Sequence, residues 1–173
     1  MKLIPVGDRH ACVDDEDFER ISVYNWKLYA DVKKSGTNFY ARRSFGKHGG
    51  AYMHQDIMGI RTGVDHRDHD GLNNQRHNLR MATNSQNGAN KRKWIAGTSR
   101  YKGVHKTTRA ATWRASIKHN GKNIHIGSFK REENAAQAYN FVADELFGEF
   151  AYLNIPLARV GFEIDSDKEK ERT

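Results

Sequence analysis

The sequence is poor in the features that mark several large protein classes. It has one cysteine, Cys12, which excludes an internal disulfide framework and any multi-cysteine zinc site. A reducing intracellular compartment is the expected setting. No apolar run approaches the roughly 18 residues that a membrane-spanning helix needs. The opening stretch, Met1 to Asp8, has too short an apolar segment for a secretory signal. Only two prolines are present and no low-complexity run, so the chain does not read as disordered.

What is present is positive charge on a chain of 173 residues, enough for one ordinary domain or two small ones. Apolar residues make up 37% and charged residues 29%, which allows modest cores. The net charge of +8 is unevenly placed. Residues 40–96 hold ten Lys and Arg against four acids, and residues 97–155 hold nine against five. Residues 1–39 and 156–173 are each −1. Two basic blocks suit an anionic partner such as nucleic acid, phosphate or a membrane surface, or else form a solvated basic surface.

The pattern along the chain predicts an α+β protein in two parts. Asp14-Asp15-Glu16-Asp17 ahead of Phe18 and Ile21 reads as a capped helix start, with acids at the positive end of the dipole. Trp26, Leu28, Ala30 and Val32 alternate as a strand with one buried face. Ser35-Gly36 predicts a turn, 39–45 a returning strand, 46–50 a loop and 54–60 a short helix. Residues 64–90 read as strand, polar loop, strand, and a helix opening at Thr83. Residues 93–98, with Gly97, form a linker after a first domain at 1–92. Three strands are expected at 101–106, 113–118 and 123–129, the last two joined by an Asn120-Gly121 hairpin turn. Ala135, Tyr139, Val142 and Leu146 place one apolar stripe on a helix over 131–147, with Gly148 past its end. The second domain is set at 99–155, and the charged tail at 156–173 is expected to fray.

The loop between the strands near residues 65 and 80 is too polar to be core material. Phosphodiester hydrolysis needs a base to activate water and a cation to stabilise charge on phosphate and leaving oxygen. Asp65 and His66 are adjacent, so on a strand they point to opposite faces, yet at a strand end they can flank one phosphate. Asn87, one turn into the helix, can return toward Asp65. Asp and Asn oxygens suit a hard divalent cation, Mg²⁺ or Mn²⁺. Asn78 can tie loop backbone groups together and hold His66 in place. A calcium loop over 66–77 has the wrong first and last residues, His66 and His77. A zinc site from His66, His69 and His77 stays open.

The segment Val64-Asp65-His66 … Asp70-Gly71-Leu72-Asn73-Asn74 … Asn78-Leu79-Arg80 … Thr83 … Gln86-Asn87 resembles the H-N-H endonuclease motif, in particular the phage and intron-encoded homing branch. The resemblance implies a ββα-metal nuclease domain. In it His66 and Asn78 are the catalytic residues, the first as general base and the second orienting the loop, while Asp65 and Asn87 bind one divalent metal ion. The third motif position is Asn87 where many members have His, a departure found in the homing branch. Upstream, Val13 to Phe18, Trp26, Tyr40 to Arg43 and Tyr52 to His54 also look like the leading segment of such phage proteins. His54 reads either as a phosphate contact or as packing in a short helix.

Tyr101-Lys102-Gly103-Val104, Trp113-Arg114-Ala115, Ile126-Gly127-Ser128-Phe129, Glu132-Glu133, Ala135-Ala136-Ala138-Tyr139 and Gly148 … Ala151 … Asn154 resemble the Apetala-two, or ethylene-response-factor, DNA-binding domain. That implies a three-stranded antiparallel sheet, packed on one helix, whose strands read DNA. Lys102, His105, Trp113, Arg114, Lys118 and His125 are then the DNA-binding candidates. Lys102 and His105 stand where plant members have arginine, so the bases read should differ. The combined expectation is a metal-dependent, site-directed endonuclease acting on double-stranded DNA as a monomer without obligatory protein partner, in the cytoplasm of a bacterial host. Two other readings are a DNA-binding regulator with an inactive nuclease-like scaffold and a nonspecific degradative nuclease.

Overall fold

A computed structural model describes residues 1–33, 36–46, 49–93, 97–108 and 111–154. Ser35 of the expected turn, part of the 46–50 loop, the middle of the 93–98 linker and the 156–173 tail lie outside the described residues. The chain is mixed α and β, with four small sheets and four α-helices among the described residues. It divides into two compact units, Met1–Ala96 and Gly97–Thr173. None of the described helices is long and apolar enough to cross a membrane.

The first unit opens with a hairpin that the sequence reading did not anticipate. Strands β1 (Lys2–Val6) and β2 (Arg9–Val13) pair antiparallel across a tight turn at Gly7, whose φ is +64°. Ile4, Val6, Ala11 and Val13 alternate inward and found the core. Helix α1 (Asp15–Ser22) follows and buries Ile21. Asp14 sits at its N-cap, but its side chain does not cap. Its carboxylate instead accepts hydrogen bonds from the Arg76 amide at 2.7 Å and Gln75 Nε2 at 3.0 Å. The acidic start is thus a long-range anchor rather than a local cap.

Strands β3 (Lys27–Lys33), β4 (Gly36–Ser44) and β5 (Gly50–Tyr52) form an antiparallel sheet, followed by helix α2 (Met53–Met58). Trp26, Leu28, Ala41 and Phe39 meet the core, but Ala30 and Val32 are exposed, Val32 at 76%. The buried face expected along 26–32 therefore ends after Leu28, because the β3–β4 hairpin runs beyond the core that covers its start. Strands β6 (Val64–His66) and β7 (Leu79–Met81) and helix α3 (Asn84–Asn90) complete the unit.

The second unit is a three-stranded antiparallel sheet in the order β10 (Lys122–Phe129), β9 (Trp113–His119), β8 (Val104–Lys106), packed on helix α4 (Glu132–Phe147). Asn120 and Gly121 both have positive φ, +48° and +80°, as a tight hairpin turn of that sequence demands. Val104, Ala115, Ala135 and Ala136 form its buried centre.

Candidate functional site

The register of β6 and β7 puts Asp65 directly opposite Arg80 and His66 opposite Leu79. Leu79 anchors the hairpin in the core. Directly opposed residues share a face, so the Asp65 carboxylate meets the Arg80 guanidinium at 2.8 and 3.0 Å. Both side chains are buried, at 7% and 6% exposure. Helix α3 starts at Thr83, whose Oγ1 accepts from the Gln86 amide while Gln86 Oε1 accepts from the Thr83 amide, a reciprocal capping box. At its other end Asn90 Nδ2 donates to both Asp65 oxygens, at 3.1 and 3.0 Å, and to the His66 carbonyl at 3.0 Å. The helix is thereby fastened back onto β6.

The 67–78 loop is held by its own side chains. Asn78 Nδ2 donates to Asp68 Oδ1 at 2.9 Å and the Asn73 carbonyl at 2.8 Å, and Asn78 Oδ1 accepts from the Asp68 amide at 3.1 Å. The fully buried Asn74 donates to the Leu72 carbonyl at 3.1 Å, and its Oδ1 lies 3.4 Å from His66 Nε2. Backbone bonds between Cys12 and both Leu72 and Asn74 tie the loop to β2. Gly71 has no room for a side chain: a Cβ there would lie 2.4 Å from the Tyr40 ring.

His66 is buried, with the His54 ring edge-on at 5.0 Å and Tyr40 at 6.0 Å between centroids. Burial pushes the His66 imidazole below its ordinary range, opposed by its contact with Asn74. Burial, aided by His66, pushes His54 down to about 3. Burial thus favours the neutral form of both rings. Asp65, His66 and Asn87 all line one cleft of about 730 Å³, shared with His54 and His69. Although Asp65 and His66 alternate along the strand, β6 ends at His66, and the turn there lets both reach the cleft. Asn78 lies beneath it, holding the loop. His54 is half-buried and borders the same cleft, packed against Tyr52 and His66.

The donor set fits a hard divalent cation. The Asn87 side chain makes no hydrogen bond among the described residues, and Asp65 Oδ1 accepts only from Asn90, leaving acceptor capacity. Arg80 offsets the carboxylate charge. Two oxygen donors facing a cleft leave positions for water and phosphate oxygens. The zinc alternative loses its basis: no group of three or more His, Cys, Asp or Glu able to hold a metal occurs among the described residues. His77 is exposed and does not border the cleft that His66 and His69 line.

Arg80, Asn90 and Asn74 were missed by sequence reasoning. Only Arg80 had a usable signal, since pairing the two short strands puts it opposite Asp65. In the second unit, His105, Arg114 and Ser128 are cross-strand neighbours on one face, joined by the Ser116–His125 pair and Lys118. His105, Arg114, Lys118 and His125 are exposed there. Trp113 is on the other side, packed with Tyr101 and Phe129 against the core. Lys102 is in the turn before β8, where Asn154 binds its backbone on both sides.

Among known proteins, an uncharacterised HNH endonuclease of Acanthamoeba polyphaga mimivirus is 47% identical to this chain over 91 residues. The match covers 53% of this chain and 46% of that protein, so the chain spans less than half of its relative's length. No protein-family model matches the chain. No solved structure matches it.

Proposed function

We propose that the protein is a divalent-cation-dependent DNA endonuclease of the H-N-H homing type, directed to its site by the second unit. The observation that carries this reading is the convergence of Asp65, His66 and Asn87 on one cleft, with the Asn87 amide unpartnered there. The β6–β7 hairpin and α3 then correspond to the ββα-metal arrangement. The relative's name supports a nuclease role, and the basic blocks support double-stranded DNA as substrate.

In this reading His66 is the general base. With Nε2 donating to Asn74, the ring's lone pair sits on Nδ1, free to take a proton from the attacking water. Its burial favours the neutral ring, the form a general base needs. Asn78 and Asn74 fix the loop that orients it. Asp65 and Asn87 would hold Mg²⁺ or Mn²⁺, which when bound supplies charge stabilisation at the phosphate and the leaving 3′ oxygen. Arg80 and Asn90 keep the Asp65 carboxylate in one orientation. The exposed face bearing Arg114, Lys118, His105 and His125 would lie in the major groove, as Apetala-two sheets do, with Lys102 nearby and Trp113 supporting the sheet from behind.

The test is incubation of the full chain with supercoiled plasmid in Mg²⁺ or Mn²⁺, beside EDTA and His66→Ala controls, with sequencing of new ends. Cleavage that needs the cation and falls about 100-fold or more in His66→Ala, with DNA binding kept, is expected. A regulator would bind without cutting, and a degradative nuclease would cut without recurrent ends.

A further inference from the structure

The cleft is larger than the chemistry at its floor requires, and one wall has a distinct composition. On the β3–β4–β5 sheet, Tyr29 opposes Tyr40, Asp31 opposes Asn38, and Arg42 opposes Tyr52. These residues share the face turned away from the core. Tyr29, Tyr40 and Tyr52 line the cleft beside His66. Their rings are pre-assembled, Tyr52 edge-on to both Tyr29 and Tyr40 at 5.7 Å and stacked on His54 at 5.4 Å. Tyr29, at the outer end, is 40% exposed.

The rim is cationic. Arg61 and Arg92 line the cleft and make no ion pair among the described residues. The carboxylates there are already matched, Asp31 by Lys33 and Asp65 by Arg80. A surplus of positive charge therefore faces a cleft walled by aromatic rings. Cationic grooves with aromatic walls suit a single strand, because rings can meet base faces only when the bases leave the duplex stack. A cleft of about 730 Å³ falls in the size range of small-ligand sites and has room for a single nucleotide.

We propose that this wall is a strand-binding site that takes an unstacked nucleotide next to the phosphate at His66, with a base against Tyr29 and flanking phosphates at Arg61 and Arg92. The assignment of DNA as occupant rests on the nuclease reading. The site itself rests on the charge and aromatic complementarity.

The experiment uses the full chain carrying His66→Ala and an oligothymidylate with a central 4-thiothymidine. Irradiation should crosslink it to peptides within residues 27–61. Tyr29→Ala should weaken binding about tenfold, while Tyr29→Phe keeps it. Arg61→Ala with Arg92→Ala should lower the slope of log affinity against log salt by about 1.4. Crosslinks confined to residues 97–154, with unchanged affinity in these variants, overturn the proposal. Cutting of plasmid by the unsubstituted protein is scored separately. Cutting without a crosslink to the first unit rejects the strand site and leaves the nuclease reading intact. A first-unit crosslink that Tyr29→Ala removes, without any cutting, supports the strand site and rejects the nuclease reading.

Discussion

Asp65 carries two burdens, since its carboxylate must be available to the cleft and must also be tolerated in a buried position. Arg80 and Asn90 reconcile them, because a buried carboxylate with a guanidinium and an amide is neutralised and oriented at once. Removing Arg80 alone strands a buried charge. Arg80→Met should therefore destabilise the protein by about 3–5 kcal/mol. The double variant Asp65→Asn with Arg80→Met should lose less than the two singles combined, and urea unfolding of all three would read that coupling. His54 makes a separate residue-scale statement. The unfolded chain protonates it near its ordinary 6.5, whereas burial holds the folded ring near 3. Its share of stability is whole above the unfolded value and is lost as pH falls from there toward the folded one. The slope is up to about 1.4 kcal/mol per pH unit, and His66 adds to it in the same direction. The urea midpoint should drop between about pH 7 and about pH 5, and drop less in His54→Phe. An unchanged pH profile in that variant would place the titration elsewhere.

Elements differ in how far they can be read without a structure, and the second unit shows the favourable case. Gly103, at φ +73°, sits where a Cβ would be 2.1 Å from the Tyr139 ring. The β8 turn and α4 thus touch through bare backbone. Gly103→Ala combines a left-handed φ, a cost of about 1–2 kcal/mol, with overpacking of about 1–3 kcal/mol. Calorimetry should show a lowered melting temperature, and Gly121→Ala, with open space around it, should show only the backbone part. The Asn120-Gly121 turn, the strands it joins, and α4 were legible because each carries its own local signal: turn chemistry, alternation, a helical stripe. The same holds for β6, β7 and the opening of α3 at Thr83. The β1–β2 hairpin was not legible, because two five-residue strands, one holding Pro5 and the other Cys12, give too little periodicity. Ala30 and Val32 misled for the converse reason, since alternation reports a strand and not what covers it. In the cleft, Asp65, His66 and Asn87 were named through the resemblance to the H-N-H motif, because residue type and spacing alone single out an Asp-His pair only weakly. Asn74, Asn90 and the anchoring by Asp14 could not be named, because hydrogen bonds between residues 8, 25 and 61 or 62 apart leave no trace in either segment.

At the scale of the molecule, the proposed function puts chemistry and recognition on different units, and that separation can be tested without knowing the target sequence. The first unit holds the cleft; the second presents a sheet face with Arg114 between His105 and Ser128, and Lys118 two pairs further along. A guanidinium reads base edges, whereas an ammonium at a sheet edge mainly neutralises phosphate. The two substitutions should therefore fail differently. Lys118→Ala should weaken binding to all DNA alike and reduce the salt slope by about 0.9. Arg114→Ala should cost about 1–3 kcal/mol at the preferred site only, so recurrent ends become scattered ones while the cutting rate at saturating protein holds. His66→Ala should do the reverse, ending cleavage while the bound positions stay the same. Footprints and end-sequencing on one DNA pool, across the three variants, separate these outcomes. If Arg114→Ala leaves the end distribution intact, the sheet face does not choose the site, and the sequence preference must arise in the cleft unit.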